Sequence, residues 1–205
     1  MTTVTITQAH LKAVAPFAST SATRLYLNGV LFQKDLLIAT DGHVLVAIKP
    51  KVFAPYEQHE DFILPNELIK KLLVVKPETK KEPVLLRFDL QTKTVTAFQH
   101  GKDQEAVIAT IPLTFVDEHF PDWRRIIPKA ENFSGEISPI GLNTELLGRF
   151  EAFGKSVIFH QNADSRSPSL VRSMNNDNFD ALGVIMPTLV CAGAEMLPSW
   201  LEAKP

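Results

Sequence analysis

The chain has 205 residues, of which 45% are hydrophobic and 21% charged, and its formal net charge is -2. This composition favours a globular protein of one large domain or two small ones. The net charge excludes the basic excess typical of proteins that grip nucleic acid through its phosphates. A single cysteine, Cys191, excludes an internal disulfide framework. With no apolar stretch near the roughly 18 residues of a membrane span and no secretion signal, we expect a cytoplasmic protein without a membrane partner.

One pattern occurs three times along the chain: a short strand, an amphipathic helix, and then several strands. Helices are predicted over 8–17 and 65–73, and again from Leu146 to Phe153, because apolar residues recur there at helical spacing. Pro65 suits the first turn of the second helix, where its missing N–H costs nothing. Asn143 or Thr144 can cap the third helix.

The strands of each repeat follow from runs of β-branched and apolar residues between turn-forming clusters at 89–93 and 175–178. Opening strands are predicted at 3–6, 61–64 and 135–140. The strands after the helices are predicted at 25–33, 36–40, 44–49, 84–90, 94–99, 106–111, 156–160, 170–174 and 181–186. Three helices among about ten strands predict an α+β protein in which helices cover one face of antiparallel sheets.

The motifs of common enzyme classes do not occur in the sequence. It has neither a GxGxxG nor a GxxxxGK[ST] glycine loop, and its six histidines lack metal-ligand spacing. We therefore expect no metal, no cofactor and no catalytic residue. Asp41 beside His43 leaves a catalytic diad open as an alternative, although a tight turn between strands is the favoured interpretation.

Four segments, in order, resemble the bacterial sliding clamp, the β subunit of the replicative polymerase, and the first of them consists of a strand and the turn that follows it. Residues 24–32 (RLYLNGVLF) and 38–45 (IATDGHVL) are similar to its R-Y-x-L-N-G strand and T-D-G-H-R-L-A turn. Residues 62–65 (FILP) resemble its V-I-V-P helix entry. Residues 120–128 (FPDWRRIIP) are close to F-P-D-Y-R-R-V-I-P, and residues 184–189 (VIMPTL) resemble the V-V-M-P-M-R-L terminus.

The resemblance implies a DNA clamp (processivity) fold and a domain plan. Residues 1–128 resemble the complete middle domain of the family, built from two repeats. Residues 129–190 resemble only the second half of the third domain, and residues 191–205 form a C-terminal tail. The implied function is a non-enzymatic DNA replication factor that tethers a polymerase to duplex DNA, which a closed ring encircles.

The resemblance also implies two sets of functional residues. A hydrophobic cleft would bind peptides of a DNA polymerase or of other replication proteins, with Leu and Phe anchors buried in it. Its expected residues are Leu27, Thr40, Gly42, His43, Val44, Leu45, Pro121, Arg125, Ile126, Val184, Met186 and Pro187. The residues expected to face DNA are Lys12, Arg24, Tyr26, Lys70, Lys71 and Arg149. Two alternatives stay open: the lysines can be solvated helix faces, and Leu27, Leu45 and Val184 can simply fill a core.

Departures from the family pattern generate three further hypotheses. Val44 stands where the family has Arg, which makes the expected cleft more apolar. The tail carries Met196, Leu197 and Trp200, so it can itself be a ligand that blocks the cleft, or a simple surface end. A lone half-domain exposes a sheet edge, so we expect a homo-oligomer in which two chains pair their third repeats and two such dimers close a ring. The alternative function is an adaptor or decoy that binds replication peptides without encircling DNA.

Overall fold

The computed structural model describes residues 3–51, 60–101, 104–128, 140–174 and 176–189. Within these ranges it has an α+β architecture, as predicted, with eleven strands and three α-helices. The strands are β1 (Thr3–Thr7), β2 (Gly29–Gln33), β3 (Leu36–Thr40), β4 (Val44–Pro50), β5 (Phe62–Pro65), β6 (Leu85–Asp89), β7 (Thr94–His100), β8 (Glu105–Pro112), β9 (Val157–His160), β10 (Ser169–Ser173) and β11 (Phe179–Ile185). The helices are α1 (Gln8–Val14), α2 (Asn66–Leu73) and α3 (Thr144–Gly148).

Two antiparallel sheets carry these strands. The smaller sheet has the order β1-β6-β7-β8, and the larger has the order β5-β2-β3-β4-β11-β10-β9. The opening strand of the first repeat, β1, pairs with β6 of the second repeat, while β5, which opens the second repeat, pairs with β2 of the first. The first two repeats therefore exchange their opening strands, and each sheet depends on both repeats.

The helices of these two repeats pack against each other over the sheets. Thr7 and His10 form a capping box at the start of α1, in which each side chain bonds the other residue's backbone N–H. The Gln8 side chain donates to the carbonyl oxygens of Leu72 and Val75, at 2.8 and 2.9 Å, and so caps the C-terminal end of α2. The main hydrophobic core lies between these helices and both sheets.

The third repeat joins the larger sheet through β11, which pairs with β4 over seven residues, from Phe179 opposite Pro50 to Ile185 opposite Val44. Asn143 accepts from the backbone N–H groups of Glu145 and Leu146 and caps α3, as predicted. A 3-10 helix, Arg149–Phe153, continues α3 and packs its two phenylalanine rings against Phe17, with centroids 5.0 and 6.2 Å away. Strand pairing and aromatic contacts thus hold this repeat on the other two.

A second, smaller core lies on the opposite face of the larger sheet, beneath residues 120–127. A 3-10 helix, Trp123–Ile126, holds this segment in place. The buried Trp123 indole donates to the Gln33 side-chain oxygen at 3.1 Å, and Arg124 donates to the same oxygen at 2.7 Å while its guanidinium covers the indole ring. The side-chain oxygen of Gln33 therefore fixes this segment to β2 through two hydrogen bonds.

Two local predictions were wrong, and others fall on residues outside the described ranges. Residues 25–28 were expected to begin a strand, but Leu25–Leu27 form a 3-10 turn and β2 begins at Gly29. Pro65 is the last residue of β5 and precedes the first turn of α2, because its extended backbone pairs with Gly29. The strand expected at 135–140 lies outside the described residues except for its last position. Residue 175 and the whole tail, 191–205, also lie outside them.

His10 makes the fold sensitive to pH. Its ring is buried, Nδ1 accepts from the Thr7 backbone N–H, and Nε2 donates to the Asn178 carbonyl oxygen at 3.2 Å. Burial lowers the pKa of His10, and the hydrogen bond to Asn178 offsets this only in part. The pKa of His10 in the folded protein lies below its unfolded value of 6.5, so the contribution of His10 to stability is complete above pH 6.5. Below pH 6.5 protons bind the unfolded chain more readily than the folded one, and this contribution falls.

We therefore expect the wild-type chain to lose stability below pH 6.5, by at most about 1.4 kcal/mol per pH unit from this residue. The His10→Gln variant should lose less between pH 7 and pH 5, because glutamine does not titrate. Urea unfolding midpoints at both pH values measure the difference. Exposed His119, changed to Gln, is the control, and equal pH dependence in all three proteins would contradict the assignment.

Candidate functional site

A tight turn between β3 and β4 forms the first side of the candidate site. The Asp41 carboxylate accepts the backbone N–H groups of His43 and Val44 at 2.8 and 3.1 Å. The Thr40 hydroxyl donates to the Val44 carbonyl oxygen and accepts from Gly42 N–H. Gly42 has φ +93°, and a Cβ there would lie 2.6 Å from the Arg24 guanidinium, so this position requires glycine. The favoured interpretation of this segment, a tight turn, is confirmed.

The carboxylate of Asp41 also receives Arg149 from the third repeat, at 2.5 Å. Partial burial acts to raise the pKa of Asp41. The backbone N–H of His43, the Arg149 guanidinium and the N–H of Val44 outweigh burial, so the pKa lies below its ordinary value of 3.8. Because Asp41 contacts the backbone of His43 and its oxygens are occupied by these donors, the geometry gives no support to a catalytic diad.

A cleft of about 560 Å³ opens beside this turn, between the first and third repeats. Its lining combines three elements: the turn with the start of β4, the segment after Trp123, and the end of β11 with the loop between β9 and β10. Nine of the twelve expected cleft residues line it, namely Thr40, Gly42, His43, Val44, Leu45, Arg125, Ile126, Val184 and Met186. The structure thus brings together residues that lie up to 146 positions apart in the sequence.

Three expected cleft residues lie elsewhere. Leu27 is buried in the smaller core beneath the cleft, and Pro121 lines a separate depression beside Trp123. Pro187 is partly buried after Met186 and does not line the cleft. Leu45 and Val184 belong both to the smaller core and to the cleft lining. These two residues therefore fill the smaller core and at the same time form the floor of the cleft.

Five cleft residues were missed by the sequence prediction: Ile127, Pro128, Asn162, Ser167 and Pro168. The first two stand in the FPDWRRIIP segment and could have been included from it. Asn162 is buried, accepts from Asp164 N–H at 3.1 Å and donates to the Pro168 carbonyl, so it shapes the loop that bounds the cleft. The polar sequence of that loop gave no signal of a binding role.

The residues expected to face DNA fall into two groups. Lys12 on α1 and Lys70 and Lys71 on α2 are exposed on the two helices that pack against each other. The others lie around the 40–44 turn or beneath it: Arg24 reaches the Asp41 carbonyl oxygen, Arg149 pairs with the Asp41 carboxylate, and Tyr26 packs against the smaller core. A DNA contact at any of the six stays a prediction.

The residues that the structure describes contain neither a candidate metal site nor a candidate membrane span. No group of three or more His, Cys, Asp or Glu side chains there could hold a metal ion. No helix in the same ranges is both long and apolar enough to cross a membrane.

The sequence is similar to that of a bacterial sliding clamp. The chain is 28% identical over 134 residues to the β sliding clamp of Vibrio cholerae serotype O1, and the match covers 62% of this chain and 34% of that clamp. No family model matches the sequence. The chain therefore resembles a sliding clamp over a part of the clamp's length only.

Solved structures agree with this finding. The β subunit of DNA polymerase III from Thermotoga maritima superposes with a TM-score of 0.64 at 18% identity, over 93% of this chain and 66% of that one. The sliding clamp of Pseudomonas aeruginosa superposes with a TM-score of 0.66 at 21% identity, over 92% and 66%. The chain has the sliding-clamp fold. The resemblance expected from the sequence is thereby confirmed, and the clamp-like chain spans slightly less than two thirds of these structures.

The ion pair between Asp41 and Arg149 should stabilise the clamp-like fold at neutral pH. An Asp41→Asn variant retains an oxygen for the turn N–H groups but loses the charge, so we expect it to cost about 1–2 kcal/mol at pH 7. Because the pKa of Asp41 is lowered in the folded protein, the stabilisation by its carboxylate is complete above the unfolded pKa of 3.8. It is lost as the pH falls through the pKa of Asp41 in the folded protein. Urea unfolding at pH 7 and in acid measures both effects.

Asp180 provides the control for this prediction. It lies 3.9 Å from Lys51 and both side chains are exposed, so Asp180→Asn should change stability very little. Equal losses in the two variants at pH 7 would show that the Asp41 pair has no special role.

Proposed function

We propose that this chain is a non-enzymatic, sliding-clamp-like DNA replication factor that binds short apolar peptides of a polymerase or another replication protein in the cleft. The observation that carries the proposal is the cleft itself, where nine residues expected from the clamp resemblance lie together. The fold of polymerase clamps over 92–93% of the chain supports the same reading.

The cleft suits an apolar peptide better than a charged ligand. Ile126 and Met186, which are 47% and 37% exposed, supply accessible apolar surface above the buried Leu45 and Val184. The Val44 side chain is buried in the main core, so it does not make the cleft more apolar as expected. Arg125 and His43 line the cleft and can donate to a peptide backbone or carboxylate. Each buried Leu or Phe anchor would contribute roughly 1.5–3 kcal/mol. Two anchors would contribute about 3–6 kcal/mol, which is less than the roughly 8 kcal/mol of a micromolar complex, so backbone hydrogen bonds and further contacts have to add to them.

Structures with the same fold also bind small molecules. The clamp of Bartonella birtlesii has been solved bound to griselimycin, and that of Pseudomonas aeruginosa with a ligand. These clamps share only 19% and 21% sequence identity with the chain. They support a ligand-binding role for the fold, and the peptide specificity of this cleft rests on its own lining.

The proposed DNA contact is a loose one, made by a homo-oligomer that encircles the duplex. The exposed Lys12, Lys70 and Lys71 lie on the helix layer, and a net charge of -2 is too low for tight phosphate neutralisation by the chain. A closed ring retains DNA topologically, so weak contacts are sufficient. The ring would contain two dimers, each with two domains of residues 1–128 and one domain completed from two halves of residues 129–190.

The second candidate function is an adaptor or decoy that uses the cleft but does not encircle DNA. The net charge of -2 favours this alternative, because it provides no basic excess for binding duplex DNA. Both functions require the peptide cleft, so the two differ only in assembly and DNA retention.

A charge placed at the edge of the cleft should weaken peptide binding. Met186 is 37% exposed and lines the cleft, so Met186→Lys would desolvate an ammonium group against each apolar anchor. We expect at least a tenfold loss of affinity, about 1.4 kcal/mol, for a fluorescent peptide carrying Leu and Phe anchors. Fluorescence anisotropy measures it.

Met174 offers a matched control because it is 46% exposed and lies outside the cleft lining. Met174→Lys should bind the peptide as the wild type does. If both variants keep wild-type affinity, or if a peptide with both anchors changed to Ala binds equally well, the cleft is not the binding site.

DNA retention separates the clamp from the adaptor. We expect the oligomer to remain on a nicked circular plasmid during gel filtration and to be released when the plasmid is cut. Reversing the charge of Lys12, Lys70 and Lys71 together to Glu should shorten retention, whereas Lys34→Glu, in the turn between β2 and β3, should not. Equal retention on circular and linear DNA would reject encirclement, and no retention on either would leave the adaptor.

A further inference from the structure

Arg149 is committed to the turn that lines the cleft. Its Nη1 lies 2.5 Å from Oδ2 of Asp41, and the two side chains are 29% and 15% exposed. The pair of Lys51 and Asp180 is far more exposed, at 43% and 75%, and water weakens such surface pairs. The guanidinium of Arg149 is therefore held by a sheltered carboxylate in the first repeat.

The carboxylate of Asp41 divides its two oxygens between the turn and the third repeat. Oδ1 accepts from the backbone N–H groups of His43 and Val44, and Oδ2 accepts from Arg149. Without Arg149, a largely buried carboxylate would lose its charged donor, and a buried charge without its partner is costly. The carboxylate would regain hydration by turning toward water, which would break the bonds that Oδ1 makes to the turn.

The backbone that carries Arg149 is fixed against a strand of the cleft. Arg149 is the first residue of the 3-10 helix that ends at Phe153. The ring of Phe150 packs over Gly183 in β11, and Val184, the next residue of that strand, lies in the cleft floor. Arg149 thus reaches the turn from a position that is fixed relative to the other side of the cleft.

The backbone groups that Asp41 holds belong to the cleft as well. His43 lines the cleft, and its carbonyl oxygen accepts from the N–H of Met186, another lining residue, at 2.9 Å. Val44 begins β4 and is paired with Ile185 of β11. If Asp41 released these two N–H groups, the turn would lose the bonds that fix His43 beside Met186.

A second arginine at the turn does not perform the same task. Arg24 is exposed, and it donates to the backbone carbonyl oxygen of Asp41 at 3.4 Å, near the upper limit for a hydrogen bond. This contact leaves the carboxylate charge uncompensated. Within the described residues, Arg149 is the cation that forms an ion pair with Asp41.

We propose that Arg149 is a positioning residue of the peptide cleft, which holds the turn at 40–44 in its binding conformation by neutralising Asp41. The inference rests on the proposed function of the cleft, and it replaces the DNA contact expected of Arg149. Arg149 is not among the residues that line the cleft, so it acts through Asp41 and the turn.

Hydrogen exchange, followed by NMR on the full chain, tests the turn without a ligand. In Arg149→Met the amides of His43 and Val44 should exchange about tenfold faster, because their acceptor turns away. Arg149→Lys keeps a cation for Asp41 and should retain most of the protection. Arg172, an exposed arginine of β10 outside the cleft lining, provides the matched control, and Arg172→Met should exchange as the wild type does.

The fluorescent peptide with Leu and Phe anchors connects the turn with binding. Arg149→Met should bind it about tenfold more weakly, because the uncompensated carboxylate releases the cleft rim. Adding Asp41→Asn should restore part of the affinity, since asparagine still offers the turn an oxygen and carries no charge. Such a recovery is the non-additivity expected of two residues that act as a pair. Arg172→Met should bind the peptide as the wild type does.

Duplex DNA separates this role from a phosphate contact. Arg149→Met and Arg172→Met each remove one positive charge, so a general electrostatic effect would be the same in both. We expect the two variants to have equal affinity for a duplex oligonucleotide. A lower affinity in Arg149→Met alone would assign Arg149 to the DNA-facing surface and overturn the inference.

Two further results would overturn it: unchanged exchange at His43 and Val44 in Arg149→Met, or a double variant that binds the peptide no better than Arg149→Met. Circular dichroism confirms that each variant is folded. A wild-type chain that does not bind the anchor peptide would reject the proposed function and this role together. Wild-type binding that Arg149→Met leaves unchanged would reject only the role of Arg149.

Discussion

The pairing of β4 with β11 is the interaction on which the rest of the structure depends. It joins the third repeat to the first over seven residue pairs and continues as a backbone hydrogen bond from Met186 N–H to the His43 carbonyl oxygen, at 2.9 Å. Without this register, Val184 would not lie opposite Leu45, and the two sides of the cleft would not meet. The cleft is therefore a product of strand pairing between repeats.

The same junction also connects the two faces of the sheet. On the helix side, Phe150 packs so closely over Gly183 that a Cβ there would lie 2.2 Å from the ring. Arg149, the preceding residue, reaches the Asp41 carboxylate at the rim of the cleft. Two adjacent residues of the third repeat, Arg149 and Phe150, therefore contact the rim of the cleft and the helix side of the sheet. The sequence separation of 108 residues between Arg149 and Asp41 makes this link a long-range one.

Much of the fold could be predicted from the sequence because its signals are local. The alternation around Val95 and Ala97, the Asn143 cap and the Asp41-Gly42 turn each act within a few residues, and each is present in the structure. The predictions failed where a contact between residues far apart in the sequence decides the local structure. Leu25–Leu27 has strand composition, yet it forms a 3-10 turn whose Leu27 side chain is buried in the smaller core.

In the candidate site, too, local sequence motifs could be predicted and long-range contacts could not. Thr40, Gly42, His43 and Met186 could be named from motif resemblance, because those motifs carry the turn and the strand end that line the cleft. Asn162 and Pro168 could not, since the loop between β9 and β10 has an ordinary polar composition and acquires its position only through β10 and β11. The role of Arg149 was equally hidden, because composition does not show that a cation on a helix is paired with a carboxylate from another repeat.

The exchange of opening strands makes the first two repeats depend on each other. Residues 3–112 contain two repeats that cover each other's edge strands, so their core is closed on the helix side. A third repeat adds the cleft through β11. The third repeat is held on the sheet by the pairing of β11 with β4, so the strand pair that positions the cleft residues is also the one that joins this repeat to the first.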